Sequence, residues 1–318
     1  MSDNAQFPVV IVAGPTGSGK SALALALAEE FSGTVINADS MQVYRDLRIL
    51  TARPSDEDEA RAPHRLYGVL DAVEQCSAAR WCGMAGAAVE EARAAGRLPI
   101  LCGGTGLYLK ALTEGLSPMP DIPEAMRSDL RRRYSDSDGA ELHQALAAVD
   151  PRSAASIPST DRQRILRALE VWEATGRSLQ DWQALPPEPV LPNAVFHTIL
   201  LLPPRQPLYD SCDDRLQGMI AAGALDEVRA LRAMNIDRDL PAMKALGVDP
   251  LIQHLDGLLD LDTAVAAAQQ ATRRYVKRQF TWFSRQIIAN LAVEEKYSEK
   301  LEDRIFSFIL KKGLTCQT

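Results

Sequence analysis

Unbroken apolar runs mark the strands of this chain. Residues 8–13, PVVIVA, carry no polar side chain, the pattern of a strand buried on both faces of a parallel sheet. TVINADS at 34–40 reads as a second buried strand ending in a carboxylate, LPILCGG at 98–104 as a third strand, and VFHTILLLP at 195–203 as the sheet resuming with another. Between them the apolar spacing turns helical, over residues 20–30 and 78–95, with Gly96 as a stop. Strand, helix, strand repeated in this way predicts a parallel sheet with helices on both faces.

The alternation breaks at GLSPMPDIP, residues 115–123, and stays broken until ALPPEPVLP, residues 184–192. Both proline-rich stretches read as boundaries. Between them the spacing predicts helices over 124–134, 139–149 and 161–175, the last capped by Ser159 or Thr160 and stopped by Gly176. The expected organisation is a core of residues 1–117 and 195–318 with a helical insertion over 118–194. Helices are expected at about 207–234 and 262–290, and a terminal helix within 294–318. There are no internal repeats.

Composition narrows the class. Among 318 residues, 46% are hydrophobic and 24% charged, the mix of a globular protein. No apolar run approaches the roughly 18–20 residues that cross a bilayer, and the N-terminus is too polar for a signal peptide. Five scattered cysteines without a CxxC pair argue against a zinc site or disulfide framework and point to a reducing, cytoplasmic setting. No exposed heptad suggests a second subunit, so a monomer is expected. The net charge of −7 argues against a nucleic-acid partner until its distribution is considered. Residues 269–290 carry Arg273, Arg274, Lys277, Arg278 and Arg285 and no acid. On a helix, Val276, Phe280, Phe283 and Ile287 form an apolar stripe, leaving Arg274, Arg278, Thr281 and Arg285 as a basic face suited to phosphates. A second basic cluster, Arg162, Gln163, Arg164 and Arg167, has Leu166 and Leu169 on its inner side, with Glu170 and Glu173 making a solvated face the rival reading.

GPTGSGKS, residues 14–21, follows the first strand and opens the first helix, the context a P-loop requires. In the loop Gly14, Pro15, Thr16, Gly17, Ser18 and Gly19, the glycines would let backbone N–H groups turn inward around an anion. The helix N-terminus and Lys20 would add positive charge, and Ser21 would offer a hydroxyl to Mg²⁺. The fold class is therefore α/β, a P-loop NTPase-like parallel sheet with a small helical insertion. The motif identifies phosphates, not their bearer. No Asn-Lys pair exists to read guanine, and the strands ending at Gly103-Gly104 and Pro203-Pro204 lack the acid of an ATPase. Asp39, after the second strand, is the one carboxylate so placed. Asp39 and Thr105 sit at the carboxyl ends of strands, where open α/β sheets bind ligands. A P-loop small-molecule or nucleoside kinase, and an RNA-binding protein without catalysis, stay open on these residues alone.

GPTGSGKS, NADSMQVYR (37–45), TARP (51–54), PH (63–64), CGGTGLYLKAL (102–112), DP (150–151), DRQRILRALEVWEATG (161–176), MIAAGALDEV (219–228) and TRRYVKRQFTWF (272–283) together resemble the tRNA dimethylallyltransferase family, also called tRNA isopentenyltransferases. The resemblance implies transfer of a dimethylallyl group from dimethylallyl diphosphate to N6 of the adenine 3′ to the tRNA anticodon. It implies Asp39 as base and Thr105 as an orienting hydroxyl. Residues 14–21 and Arg215 would hold the diphosphate, with Mg²⁺ at Ser21. The tRNA would meet Asp39, Ser40, Met41, Gln42, Thr105, Arg127, Gln163, Arg164, Ile165, Leu166, Arg167, Arg274 and Arg278. The target base would leave its stack, with Met41, Gln42 and Tyr44 as candidate walls. The chain departs from the family pattern at IPSTD (157–161), ALGVDP (245–250) and Ser211-Cys212, the last of which removes one basic contact.

Overall fold

The computed structural model describes residues 5–314; Cys316 lies outside them. The chain divides into two compact units, one running to Thr113 and resuming at Val190, the other spanning Glu114–Pro189. The proline-rich segments had placed these divisions at 117/118 and 194/195.

The first unit is built on a parallel sheet. Its amino-terminal part contains β1 (Phe7–Ala13), α1 (Lys20–Glu30), β2 (Gly33–Asn37), α2 (Asp56–Arg61), β3 (His64–Arg65), α3 (Ala78–Ala94), β4 (Leu98–Gly103) and α4 (Gly106–Glu114). The second unit holds α5 (Glu124–Arg133), α6 (Gly139–Val149), α7 (Pro151–Ser156), α8 (Arg162–Thr175) and α9 (Leu179–Gln183). The first unit then continues through β5 (Ala194–Leu201), α10 (Arg205–Ala221), α11 (Ala224–Ala233), α12 (Val248–Leu255), α13 (Leu261–Gln286), β6 (Leu291–Val293) and α14 (Glu302–Lys311). The strand order is β3-β2-β4-β1-β5-β6, with every pairing parallel. β1 lies inside the sheet, and Val9–Ala13 are completely buried, which is why that segment reads as an unbroken apolar run. Because β4 lies between β1 and β2, the turns leaving these three strands share one edge.

Several expectations are corrected. β3 and β6 are two and three residues long, too short to leave a periodic signature. The helix expected over 207–234 is two, because Gly223 takes a left-handed φ of 102° between α10 and α11. α13 ends at Gln286 rather than 290, since Ile287 is extended and leads towards β6. α8 is capped by Asp161, whose side chain accepts the Arg164 N–H at 3.2 Å, and not by Ser159 or Thr160.

The helical unit has its own core of Leu130, Leu142, Leu146, Ile165, Ala168, Leu169 and Val171. Buried Asp150 ties it together: its carboxylate accepts from the Ser178 hydroxyl at 2.8 Å and the Ser153 N–H at 3.1 Å.

Candidate active site at the strand ends

Leaving β1, the chain turns through residues 14–19 into α1. Gly19 caps that helix at φ 86°, and a Cβ there would stand 2.8 Å from the Tyr297 Cβ, so glycine is required twice over. Thr16 is held on every polar group: its N–H donates to Gln279 Oε1 at 2.9 Å, its carbonyl accepts from the Cys212 thiol at 3.7 Å, and its hydroxyl accepts from Arg215. Ser18 is fully buried and its hydroxyl has no partner. Burial lowers the pKa of the Lys20 ammonium; Cys102 and Asp39 oppose that shift, and Arg215 reinforces it. The Cys102 thiol beneath the loop is pushed up to about 11 by burial, so it stays protonated near neutrality. Ser21 is exposed at the start of α1, and a cavity of about 600 Å³ opens beside it, walled in part by Leu25, Arg53, His64, Tyr67 and Tyr297.

Leaving β2, the chain is turned by Asn37. Its side-chain oxygen accepts the Asp39 N–H at 2.8 Å, and its amide donates to the carbonyls of Asp39 and Leu66 at 3.0 and 3.1 Å. This turn lifts residues 38–40 out of the expected strand. Asp39 Oδ1 accepts the Met41 N–H at 2.9 Å, and its second oxygen accepts no hydrogen bond among the described residues. Leaving β4, Thr105 accepts the Ser40 N–H at 2.9 Å and its hydroxyl lies 3.2 Å from the Ser40 hydroxyl. The threonine is thereby locked to the segment that carries Asp39, and both share the strand-end edge with the loop.

The remaining predicted residues divide. Arg215 reaches the loop through Thr16. Met41 and Gln42 are partly buried, but the Gln42 amide donates to the Thr51 and Ala52 carbonyls at 2.9 Å each and so braces the TARP segment. Tyr44 is not a wall residue: it is fully buried and its hydroxyl donates to the Glu74 carbonyl. Arg274 and Arg278 are exposed on α13, with Val276 and Phe283 buried on the opposite side. No carboxylate pairs with either arginine among the described residues, whereas Arg273 is spent on Asp213 at 2.5 Å.

Within the helical unit, Gln163 and Arg164 are exposed and Arg167 is partly so. Ile165 is fully buried in the unit's core and offers no free side chain for RNA, while Leu166 packs against that core and is only partly buried. Glu170 is buried and pairs with Arg167 at 3.3 Å, so it is not part of a solvated face. Arg162 donates to the Ser137 carbonyl at 2.6 Å and is committed to the end of α5. Arg127 keeps a buried Nε without a partner.

Sequence reasoning missed three contributors. Gln279 spans the phosphate loop and the β4 turn. Tyr275 lies beside Thr105 and Gln279, and burial, then the Asp39 charge, push its pKa upward. Glu227 gathers the N–H groups of Arg48, Ile49 (2.8 Å) and Leu50 (2.9 Å), which explains an acid in MIAAGALDEV. Only the motifs containing them, TRRYVKRQFTWF for Gln279 and Tyr275 and MIAAGALDEV for Glu227, hinted at any of the three.

A central strand feeding a glycine-rich loop and helix, with a carboxylate and a threonine at the next strand ends, defines a P-loop-type fold carrying an acid–hydroxyl site. The IPP transferase family model matches residues 42–286. The tRNA dimethylallyltransferase of Paramagnetospirillum magneticum is 52% identical over 97% of this chain and 98% of its own length, and that of Parvibaculum lavamentivorans is 50% identical over 96% and 97%. The crystal structure of the full-length tRNA isopentenylpyrophosphate transferase of Bacillus halodurans superposes with a TM-score of 0.67 at 32% identity, covering 96% of both chains. The chain belongs to the IPP transferase family.

Proposed function

We propose that this chain transfers the dimethylallyl group of dimethylallyl diphosphate to N6 of the adenine 3′ to the anticodon of tRNA, releasing diphosphate. The observation that carries the reading is the shared edge: the phosphate loop, Asp39 and Thr105 leave adjacent strands, with Thr105 locked to the segment that presents Asp39. Lys20, the loop amides and Arg215 hold the diphosphate and stabilise the charge that grows as the allylic C–O bond breaks. The free oxygen of Asp39 accepts the proton of the adenine amine as N6 attacks the allylic carbon, and Thr105 orients the base. No water needs activation, which accounts for strand ends without an ATPase acid.

Mg²⁺ fits this arrangement. Ser21 stands at the exposed start of α1 beside the cradle, and among the described residues there is no cluster of three His, Cys, Asp or Glu that would make a closed protein cage. An octahedral ion would take its other positions from diphosphate and water. Bound there, it would neutralise the departing phosphate oxygens. Arg274 and Arg278, together with Gln163, Arg164, Arg167 and Arg127, supply the contacts to RNA. No helix among the described residues is long and apolar enough to cross a membrane. We take the acting form as a cytoplasmic monomer.

The test is incubation with unmodified tRNA, Mg²⁺ and labelled dimethylallyl diphosphate, run beside a matched reaction with γ-labelled ATP. Label entering tRNA only from the first is the expected result. Phosphoryl transfer from ATP to a small acceptor, with no prenyl transfer, would replace this reading with a kinase.

A further inference from the structure

We propose that Gln279 is a positioning residue that fixes the spacing between the leaving group and the attacking amine. The proposal rests on the function given above. Gln279 lies on α13 and is only 5% exposed. Its two amide atoms reach two different binding segments: Oε1 accepts the Thr16 N–H of the phosphate loop at 2.9 Å, and Nε2 donates to the Gly104 carbonyl at 2.8 Å, one residue before Thr105. The contact is close enough to dictate its neighbour. A Cβ at Gly104 would stand 2.3 Å from Gln279 Nε2. The diphosphate side and the acceptor side are thus joined through one buried amide, anchored in a helix whose outer side carries Arg274 and Arg278.

A brace of this kind acts on alignment. Each half-site keeps its own ligand contacts, the cradle through Lys20 and Arg215 and the acceptor through Asp39 and Thr105, so each substrate still binds. What is lost is the distance between reacting atoms, and a displacement of about 1 Å can slow a reaction roughly 10²-fold. The signature is a fall in kcat with little change in either KM. A residue that served stability alone would lower the melting temperature and leave both constants unchanged at permissive temperature.

The experiment measures prenyl transfer, both KM values and melting temperature for wild type, Gln279→Met, which keeps volume but neither hydrogen bond, and Gln279→Asn, which keeps the amide on a shorter stem. The expected result is a kcat about 10- to 100-fold lower in Gln279→Met, both KM values within about 3-fold, and a smaller loss in Gln279→Asn. Should Gln279→Met fail to fold, the Gln279→Asn kinetics decide. A cycle with Gly104→Ala supplies the independent check. That substitution pushes on the same amide, so in a Gln279→Ala background it should cost less than about 3-fold in kcat, far below its cost in wild type. Unchanged kcat in the Gln279 variants, a loss confined to KM, or additive effects in the cycle overturn the assignment. A wild-type chain that transfers no label overturns the functional reading along with it, whereas an active wild type matched by its variants overturns only the role of Gln279.

Discussion

Asp39, the proposed base, has one oxygen already occupied by the Met41 N–H and its main chain pinned by Asn37. Its orientation therefore does not depend on charge, and Asp39→Asn should preserve the turn while removing the base. Turnover should fall about 10²-fold or more with tRNA affinity within about 3-fold, measured by single-turnover transfer and filter binding. Undiminished turnover would exclude it as base. Lys20 makes the opposite demand, because function places a charge where folding resists it. Its folded-state pKa is lowered by burial from 10.5. Between that lowered value and 10.5 the unfolded chain binds more protons than the folded one, so stability rises with pH across the window and the cost is fully present below it. Lys20→Met should raise the melting temperature of the unliganded protein at pH 7, by removing that cost, while abolishing diphosphate binding. A lower melting temperature would show that Lys20 helps to hold the loop.

At the scale of elements, α13 performs two tasks on two faces. Val276, Gln279 and Phe283 face inward and pin the helix beneath the site, while Arg274 and Arg278 face solvent without carboxylate partners among the described residues. Charge reversal of both arginines should weaken tRNA binding, reduce the slope of log affinity against log salt by about 2, and leave the KM for dimethylallyl diphosphate unchanged. An unaltered salt slope would mean that this face does not meet phosphates. α8 divides differently from the expectation built on its sequence. Its arginines cluster in the chain, yet Arg162 ties down the end of α5 and Arg167 pairs with buried Glu170. Spacing along one helix shows which residues share a face; it does not show that Arg162 is engaged by the Tyr134 and Ser137 carbonyls after α5, or that Glu170 on the same helix is buried.

For the whole molecule, charge and stability are distributed unevenly. The chain carries a net charge of −7, yet Arg274 and Arg278 on α13 have no carboxylate partner among the described residues. The helical unit depends on a buried polar knot of Asp150, Ser153 and Ser178. Burial alone would raise the Asp150 pKa, but its hydrogen bonds to Ser153 and Ser178 outweigh burial and lower it. Its stabilisation is therefore present above the ordinary value of 3.8 and disappears as pH falls through the lowered folded-state value. Asp150→Ala should destabilise the helical unit by about 2–3 kcal/mol at neutral pH, seen in urea unfolding followed by fluorescence, to which Trp172 and Trp182 of that unit contribute. A loss below about 0.5 kcal/mol would contradict the role of the knot.

The sequence by itself determined the parallel α/β class, the phosphate loop, the helical insertion and the placing of Asp39 and Thr105 after strands. Each of these rests on local chemistry: unbroken apolar runs for strands buried on both faces, glycines where the backbone turns around an anion, prolines where the alternation stops. Only the tertiary structure decided that β4 lies between β1 and β2, which brings loop, threonine and carboxylate to one edge. It alone showed that Thr16 is engaged by Gln279 and Arg215, partners 263 and 199 residues away, and that Tyr44 and Ile165 belong to cores. Strand order and long-range hydrogen bonds come from packing all faces together, and residues so distant in the chain leave no mark in the spacing of either segment.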